Sequence, residues 1–340
     1  NIKKGMDWRQ KGVIALLCLC VAVYTFVTVS KSRNSIQGFT PPPLKVPIKE
    51  ASIAPPHYPY EDVDIWKYID ATSTSPFRKP TTQNTSLVIY NRIPKCGSTT
   101  LLTMIKRLQR NNSYNAITSS DYFHERLKEE GCKAFVRKCS RMKKRTIFNR
   151  HIYYVPFGED HKKEPVYINM IRDPVEHAIS SYYFYRHDSL LKKKFSPEEK
   201  NMSLQQCLSG AKSEQDLTRC NLDTSVYPRW FCGHSDACLY NITYAIEKAI
   251  YNIDNAYTFI GVTEQYNISI QFFEKLLPEY FRGAWRDYVS LRKPALKKTS
   301  GKIEVSTDIK DLMKSHLAPS YVIYNYILKK FKATVAAHGL

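Results

Sequence analysis

Val88-Ile89-Tyr90-Asn91-Arg92-Ile93-Pro94-Lys95-Cys96-Gly97-Ser98-Thr99-Thr100 is the stretch whose reading decides the fold. Leu87 to Tyr90 are apolar and partly β-branched, Pro94 and Gly97 break the strand, and Leu101, Leu102, Ile105 and Leu108 follow at helical spacing. A strand that runs through a short loop into a helix puts the loop at a helix N-terminus, where unpaired N–H groups and the macrodipole favour an anion. Lys95 adds a formal charge, and Ser98, Thr99 and Thr100 add hydroxyl donors beside Cys96 and Gly97. A Walker A loop needs its lysine directly after the second glycine, and here Lys95 precedes Gly97. A nucleotide triphosphatase or kinase of the P-loop type is therefore set aside.

The same layout recurs downstream. Pro165 to Ile171 is almost wholly apolar, which predicts a strand buried on both faces. It ends in Arg172-Asp173-Pro174, with a helix predicted from Pro174 to about Arg186. Thr146 to Val155 predicts another strand, interrupted by Asn149, Arg150 and His151, and Tyr257 to Val262 a further one. Helices are predicted at about 242–253, 264–281 and 306–333, and the region between residues 109 and 145 reads as basic and less regular. Strands alternating with helices predict an α/β fold, a central parallel sheet flanked by helices. The Lys95 loop and Arg172 then lie along the carboxyl edge of that sheet, where α/β folds take ligands, and two cationic junctions match a ligand with two separated anionic groups.

The surrounding chain narrows the class. Of 340 residues, 51 are Lys or Arg and 31 are Asp or Glu, a formal charge of +20. Such a balance implies a polyanionic partner: nucleic acid, anionic lipid or sulfated polysaccharide. Val13 to Val29 is an uncharged run of 17 residues preceded by Lys3, Lys4, Arg9 and Lys11, which predicts an uncleaved type II anchor with everything after it lumenal. The expected organisation is a cytosolic tail over 1–12, a membrane anchor over 13–29, a Pro/Ser/Thr-rich stem over 30–84, a lumenal domain over 85–335 and a short tail over 336–340. Sequons at Asn84, Asn111, Asn201, Asn241 and Asn267 agree with a lumenal location. Six of the nine cysteines lie outside the apolar run and the Lys95 loop. Their close spacing suggests the local pairs Cys132–Cys139, Cys207–Cys220 and Cys232–Cys238, although other connectivities are open. Zinc held by Cys232, His234 and Cys238 is the rival reading.

Five stretches together carry a resemblance: Tyr90 to Ser98, Arg150-His151, Tyr167 to Pro174, Phe231-Cys232-Gly233-His234, and Phe259 to Glu264. In this order the chain resembles the Golgi 2-O-sulfotransferases that act on uronic acids in glycosaminoglycans, the heparan sulfate and uronyl 2-O-sulfotransferases. The resemblance implies a P-loop-like sulfotransferase fold, a Golgi membrane location and a homo-oligomer, a trimer by analogy. It implies transfer of a sulfuryl group from 3′-phosphoadenosine-5′-phosphosulfate (PAPS) to a uronic acid 2-hydroxyl, with adenosine 3′,5′-bisphosphate as product and no metal. The acceptor is then a polysaccharide, not nucleic acid.

By this resemblance Lys95, Cys96, Gly97, Ser98, Thr99 and Thr100 hold the 5′-phosphosulfate. Arg172 and Ser180 hold the 3′-phosphate, and Lys298 and Thr299 sit on a loop that closes over the nucleotide. His151 is the general base, and Lys95 stabilises charge on the leaving oxygen. Arg92, Arg150, Arg186, Lys192, Lys193 and Lys194 are candidates for gripping the acceptor. The heparan sulfate branch has a second histidine where this chain has Asn149, and a glycine where it has Arg150, so the motifs look more like the uronyl branch. A catalytically silent glycosaminoglycan-binding relative, and a sulfotransferase for another glycan or a glycoprotein, are the alternatives.

Overall fold

A computed structural model describes residues 75–79, 83–121, 124–158, 164–187, 195–211, 213–291 and 302–339. Among them, β1 (Asn84–Asn91), β2 (Asn115–Thr118), β3 (Thr146–Arg150), β4 (Pro165–Ile171) and β5 (Tyr257–Val262) form one sheet in the order β2-β3-β1-β4-β5. Every neighbouring pair is parallel. All residues of β4 and β5 are buried, as apolar strands covered on both faces must be.

The helices are α1 (Ser98–Leu108), α2 (Glu129–Ser140) and α3 (Pro174–His187), then a run of short ones, α4 (Pro197–Asn201), α5 (Leu204–Gly210), α6 (Glu214–Arg219), α7 (Val226–Cys232) and α8 (Asp236–Tyr240). There follow α9 (Ile242–Ala256), α10 (Tyr266–Leu276), α11 (Pro278–Phe281), α12 (Ala284–Ser290), α13 (Thr307–His316) and α14 (Ala318–Ala336). From β1 the chain passes through α1 to β2, returns through α2 to β3, then crosses β1 to reach β4 and β5. The winding reverses at β1, which places the ligand crevice of such a sheet at the carboxyl ends of β3, β1 and β4.

Tyr90, Phe148, Tyr167 and Phe259 from the sheet and Phe272, Phe273 and Phe331 from the helices are almost fully buried in the main core. Each such side chain contributes about 1.5–3 kcal/mol by leaving water. A second cluster joins Val175, Ile179 and Tyr182 of α3 to Leu204, Leu208 and Met313. One face of α3 is thereby fixed, while its other face turns toward the β1 loop.

The structure departs from the sequence reading in several places. β2 and α2 occupy the stretch read as irregular: β2 has four residues with none fully buried, and α2 buries only Phe135, Val136 and Cys139. The strand predicted from Thr146 to Val155 ends at Arg150. Beyond it the Tyr153 N–H donates to the Glu125 carbonyl and the Tyr154 N–H to the Trp230 carbonyl, partners outside the sheet.

Packed chain reaches back into the expected stem, since Phe77 is 2% exposed, donates its N–H to Thr334 Oγ1 at 2.8 Å and lies edge-on to Phe259. The expected tail over 1–12, the anchor over 13–29 and most of the stem lie outside the described residues, as do Lys192, Lys193, Lys194, Lys298 and Thr299. Among the described residues no helix is long and apolar enough to cross a membrane.

Disulfides join Cys207 to Cys220 and Cys232 to Cys238, so the cysteines proposed as zinc ligands are oxidised to each other. The expected Cys132–Cys139 bridge is absent, and both thiols are free. Both cysteines sit on α2, seven residues apart. At 1.5 Å per residue their Cα atoms are about 10.5 Å apart, beyond the reach of a disulfide. Asn111, Asn201, Asn241 and Asn267 are exposed, whereas Asn84 is half-buried at the start of β1 and accepts the Ser86 N–H.

Candidate active site

The loop after β1 is wound by two left-handed residues, Lys95 at φ 62° and Gly97 at φ 67°. Gly97 precedes α1, which has no side-chain cap and no acidic residue in its first turn. Its leading N–H groups therefore face an anion-favouring end that the side chains of the helix do not neutralise. Glycine is required at 97 twice over, by its φ and because a Cβ would come within 2.8 Å of Tyr266 Cε2. The Tyr266 hydroxyl donates to the Gly97 carbonyl at 3.0 Å, pinning the loop from above.

The Lys95 ammonium stands 3.8 Å over the Phe184 ring. Burial pushes the Cys96 thiol up to about 12, so this residue offers an anion its backbone and not a thiolate. Thr100 is buried, Ser98 half-buried and Thr99 exposed.

The second cation sits where β4 ends. Arg172 Nη2 lies 3.4 Å from Glu176 Oε2, and the same carboxylate meets Lys302 at 3.0 Å and Lys310 at 3.5 Å. Burial would raise the Glu176 carboxyl, but the hydrogen-bonded Lys302 and the charges of Arg172 and Lys310 outweigh it and hold it below the usual range. Asp173 caps α3 by accepting the Glu176 N–H, and its other oxygen accepts the Tyr321 hydroxyl at 2.9 Å. The Asp173 N–H donates to Glu264 Oε1 just past β5.

His177, Ser180 and Phe184 fall on one face of α3 at i, i+3 and i+7. The His177 Nε2 donates to the Pro94 carbonyl at 3.1 Å and Phe184 carries the Lys95 ammonium. Ser180 is thus brought to the side of α3 that faces the β1 loop, at 5% exposure.

His151 follows β3. Its Nδ1 lies 2.8 Å from the Arg92 carbonyl, and the Arg92 N–H in turn donates to the Arg150 carbonyl, extending the β1–β3 ladder. With Nδ1 as the donor, the lone pair is on Nε2. Burial, with the nearby Arg92 guanidinium, pulls the imidazole down to about 4, so it is neutral at physiological pH.

The structure corrects the role expected of Arg186. It is 3% exposed, stacks 3.5 Å from the Tyr182 ring, and donates to the Glu199 and Arg219 carbonyls. These contacts anchor the disulfide-bearing segment. Arg150 is similarly engaged, with Asp121 at 2.5 Å and the His124 carbonyl at 3.1 Å.

Asn149 is locked into the sheet by its amide, which donates to the Ile117 carbonyl and to Thr118 Oγ1. His234 Nδ1 accepts the Leu127 N–H. A cavity of about 1150 Å³ lies elsewhere, lined by Cys132, Tyr154, Glu164, His234, Tyr244 and Tyr251 among others; Lys95, His151 and Arg172 are not on its walls.

A model of the sulfotransferase family matches residues 80–326, a span that contains all three of these residues. The chain belongs to the sulfotransferase family.

This family member is 25% identical to human uronyl 2-sulfotransferase over 269 residues, 75% of this chain and 64% of that protein. It is 31% identical to chicken heparan sulfate 2-O-sulfotransferase 1 over 268 residues, covering 75% and 72%, and 32% identical to the Xenopus laevis protein of that name over 228 residues, covering 64% and 62%. The match thus spans less than two thirds of the uronyl 2-sulfotransferase. A solved mouse sulfotransferase complexed with PAP aligns over 77% of this chain and 84% of its own at 12% identity, with a TM-score of 0.35, too low to add to the family assignment.

Four residues that hold the Lys95 loop and the Arg172 junction were not picked out in the sequence: His177, Tyr227, Tyr266 and Glu264. Glu264 ends the last of the five resembling stretches, so its position at a strand end was a usable signal. His177, Tyr227 and Tyr266 look like ordinary helix residues, and only the tertiary contacts reveal them.

Proposed function

We propose that this chain transfers the sulfuryl group of PAPS to the 2-hydroxyl of a uronic acid in a glycosaminoglycan, releasing adenosine 3′,5′-bisphosphate. One observation carries the reading: three adjacent strands, β3, β1 and β4, each deliver one chemical function to the same edge, the neutral imidazole of His151, the Lys95 loop and the Arg172 guanidinium.

The residues fit such a donor, because an uncapped helix start with a lysine and, separately, the Arg172 guanidinium at the end of β4 offer two cationic places for an anion. PAPS would supply the activated sulfuryl group. Lys95 and the N–H groups of Gly97 to Thr100 would hold its 5′ end, and Arg172 with Ser180 its 3′-phosphate. His151 Nε2 takes the proton of the attacking hydroxyl, which requires the neutral form that burial secures. The Lys95 ammonium offsets negative charge on the departing phosphate oxygen. Incoming anions shift His151 upward from about 4, toward the value that suits a base.

The two disulfides support an oxidising compartment. With the apolar run at 13–29 they fit a type II Golgi protein whose folded part is lumenal, and assembly as a homo-oligomer follows the family resemblance. The deciding experiment incubates the protein with labelled PAPS and heparan, dermatan and chondroitin acceptors, followed by disaccharide analysis. Label on the uronate 2-position is expected; no transfer to any uronate would overturn the reading.

A further inference from the structure

The Tyr227 hydroxyl lies between the Lys95 loop and the Arg172 junction and touches both. It donates to the Arg172 carbonyl at 2.5 Å and accepts the Arg172 N–H at 3.2 Å. It also lies 3.7 Å from Cys96 Sγ. The phenol has one proton, already given to the Arg172 carbonyl, so the thiol is the donor in the third contact. Tyr227 itself is 1% exposed, and its ring packs 5.7 Å from that of His177, which bonds the Pro94 carbonyl.

These contacts meet a specific structural need. Arg172 is the first residue past β4, so its N–H and C=O have left the sheet ladder and need other partners. One side chain supplies both. One turn along α7, Trp230 does the same for β1, donating its indole N–H to the Asn91 carbonyl at 2.7 Å, and its own carbonyl accepts the Tyr154 N–H. A single short helix thereby ties together the carboxyl ends of the strands that carry the Lys95 loop and Arg172.

We propose that Tyr227 is a positioning residue that sets the separation between the Lys95 loop and Arg172, and so selects nucleotides bearing phosphates at both the 5′ and the 3′ positions. The inference rests on the donor reading given above. An anion at either loop alone would need no fixed spacing. A ligand spanning both gains from a rigid spacing, because freedom between the two halves is lost on binding. The hydroxyl touches neither anion, so its effect passes through the backbone of Arg172 and the packing of Cys96.

The test compares adenosine 3′,5′-bisphosphate with AMP, by calorimetry, on the wild-type chain and on Tyr227→Phe. The wild type is expected to bind the bisphosphate far more tightly. In Tyr227→Phe that advantage should shrink about ten-fold, with AMP affinity nearly unchanged, as expected when a buried hydrogen-bonded hydroxyl is removed and its partners stay buried. A full bisphosphate advantage in the variant overturns the proposal and leaves the donor reading standing. A wild type with no preference for the bisphosphate removes both.

Hydrogen exchange gives a readout that needs no ligand. The Arg172 amide should lose protection in Tyr227→Phe while the β4 amides keep theirs, and unchanged protection at Arg172 also overturns the proposal.

Discussion

The His177 Nε2 lies 3.1 Å from the carbonyl oxygen of Pro94, so a helix that begins after β4 holds the loop that follows β1. Because burial keeps this imidazole down at about 4, it stays neutral and Nε2 acts as an N–H donor. His177→Ala leaves the Pro94 carbonyl without this donor and is expected to cost about 1–3 kcal/mol of stability. His177→Gln, which retains a donor amide, should recover part of it. Denaturant midpoints of the two variants check this, and equal loss in both would show that packing alone matters.

His151 is tested by separating chemistry from binding. His151→Ala should lower turnover by a factor of about 10²–10⁴, while affinity for adenosine 3′,5′-bisphosphate, measured by calorimetry, stays within a few-fold of wild type. Unchanged turnover would remove the imidazole from the proton transfer.

Gly97→Ala meets two obstacles at once, a left-handed φ and a tyrosine ring 2.8 Å from the new methyl. The loop must rotate or Tyr266 must move, and the Tyr266–Gly97 hydrogen bond is lost with either. Nucleotide affinity should fall by roughly five- to thirty-fold, for a strain on the order of 1–2 kcal/mol. Pairing it with Tyr266→Ala should restore space but not the φ, so a full rescue of binding would locate the whole cost in the ring.

Stability should depend on pH through three histidines, one buried and two half-buried. His151, His177 and His234 are each pulled down to about 4, mainly by burial, against about 6.5 in an unfolded chain. Between those values the unfolded chain holds protons that the folded one lacks, so stability rises with pH. The contribution is complete above about pH 6.5 and is lost as pH falls toward 4, at about 1.4 kcal/mol per pH unit for each histidine. Melting temperatures should decline from pH 7 to 5, and a flat profile would contradict imidazoles held neutral in the fold.

What was legible in the sequence follows from how strongly local pattern governs each element. β4 and β5 were read with their observed limits, because an unbroken apolar run flanked by breakers suits a strand buried on both faces. α1 could be placed from four apolar residues at helical spacing. β2 carried no such signal: a four-residue edge strand with no fully buried residue leaves little pattern to find.

The Cys132–Cys139 pairing failed for a related reason, since sequence proximity says nothing of the 10 Å that a helix puts between residues seven apart. The junctions that bear Lys95 and Arg172 could be placed because the strand ends are local, whereas His151 lay inside a strand read as running on to Val155 and was singled out only by the family resemblance. Tyr227 and Tyr266 could not be placed, for their partners lie 55 and 169 residues away. Arg186 misled because its charge suggested solvent, whereas aromatic stacking and carbonyl partners keep it inside.

The bonds that α14 makes to the strand ends have a consequence for how the protein is made. Tyr321 donates to Asp173, the cap of α3, and Tyr324 lies 3.5 Å from Glu264, which accepts the Asp173 N–H. During synthesis the Lys95 loop, His151 and Arg172 emerge long before these tyrosines. The ends of β4 and β5 therefore gain these partners only after α14 has been made and packed, which sets the completion of this edge late in the order of folding.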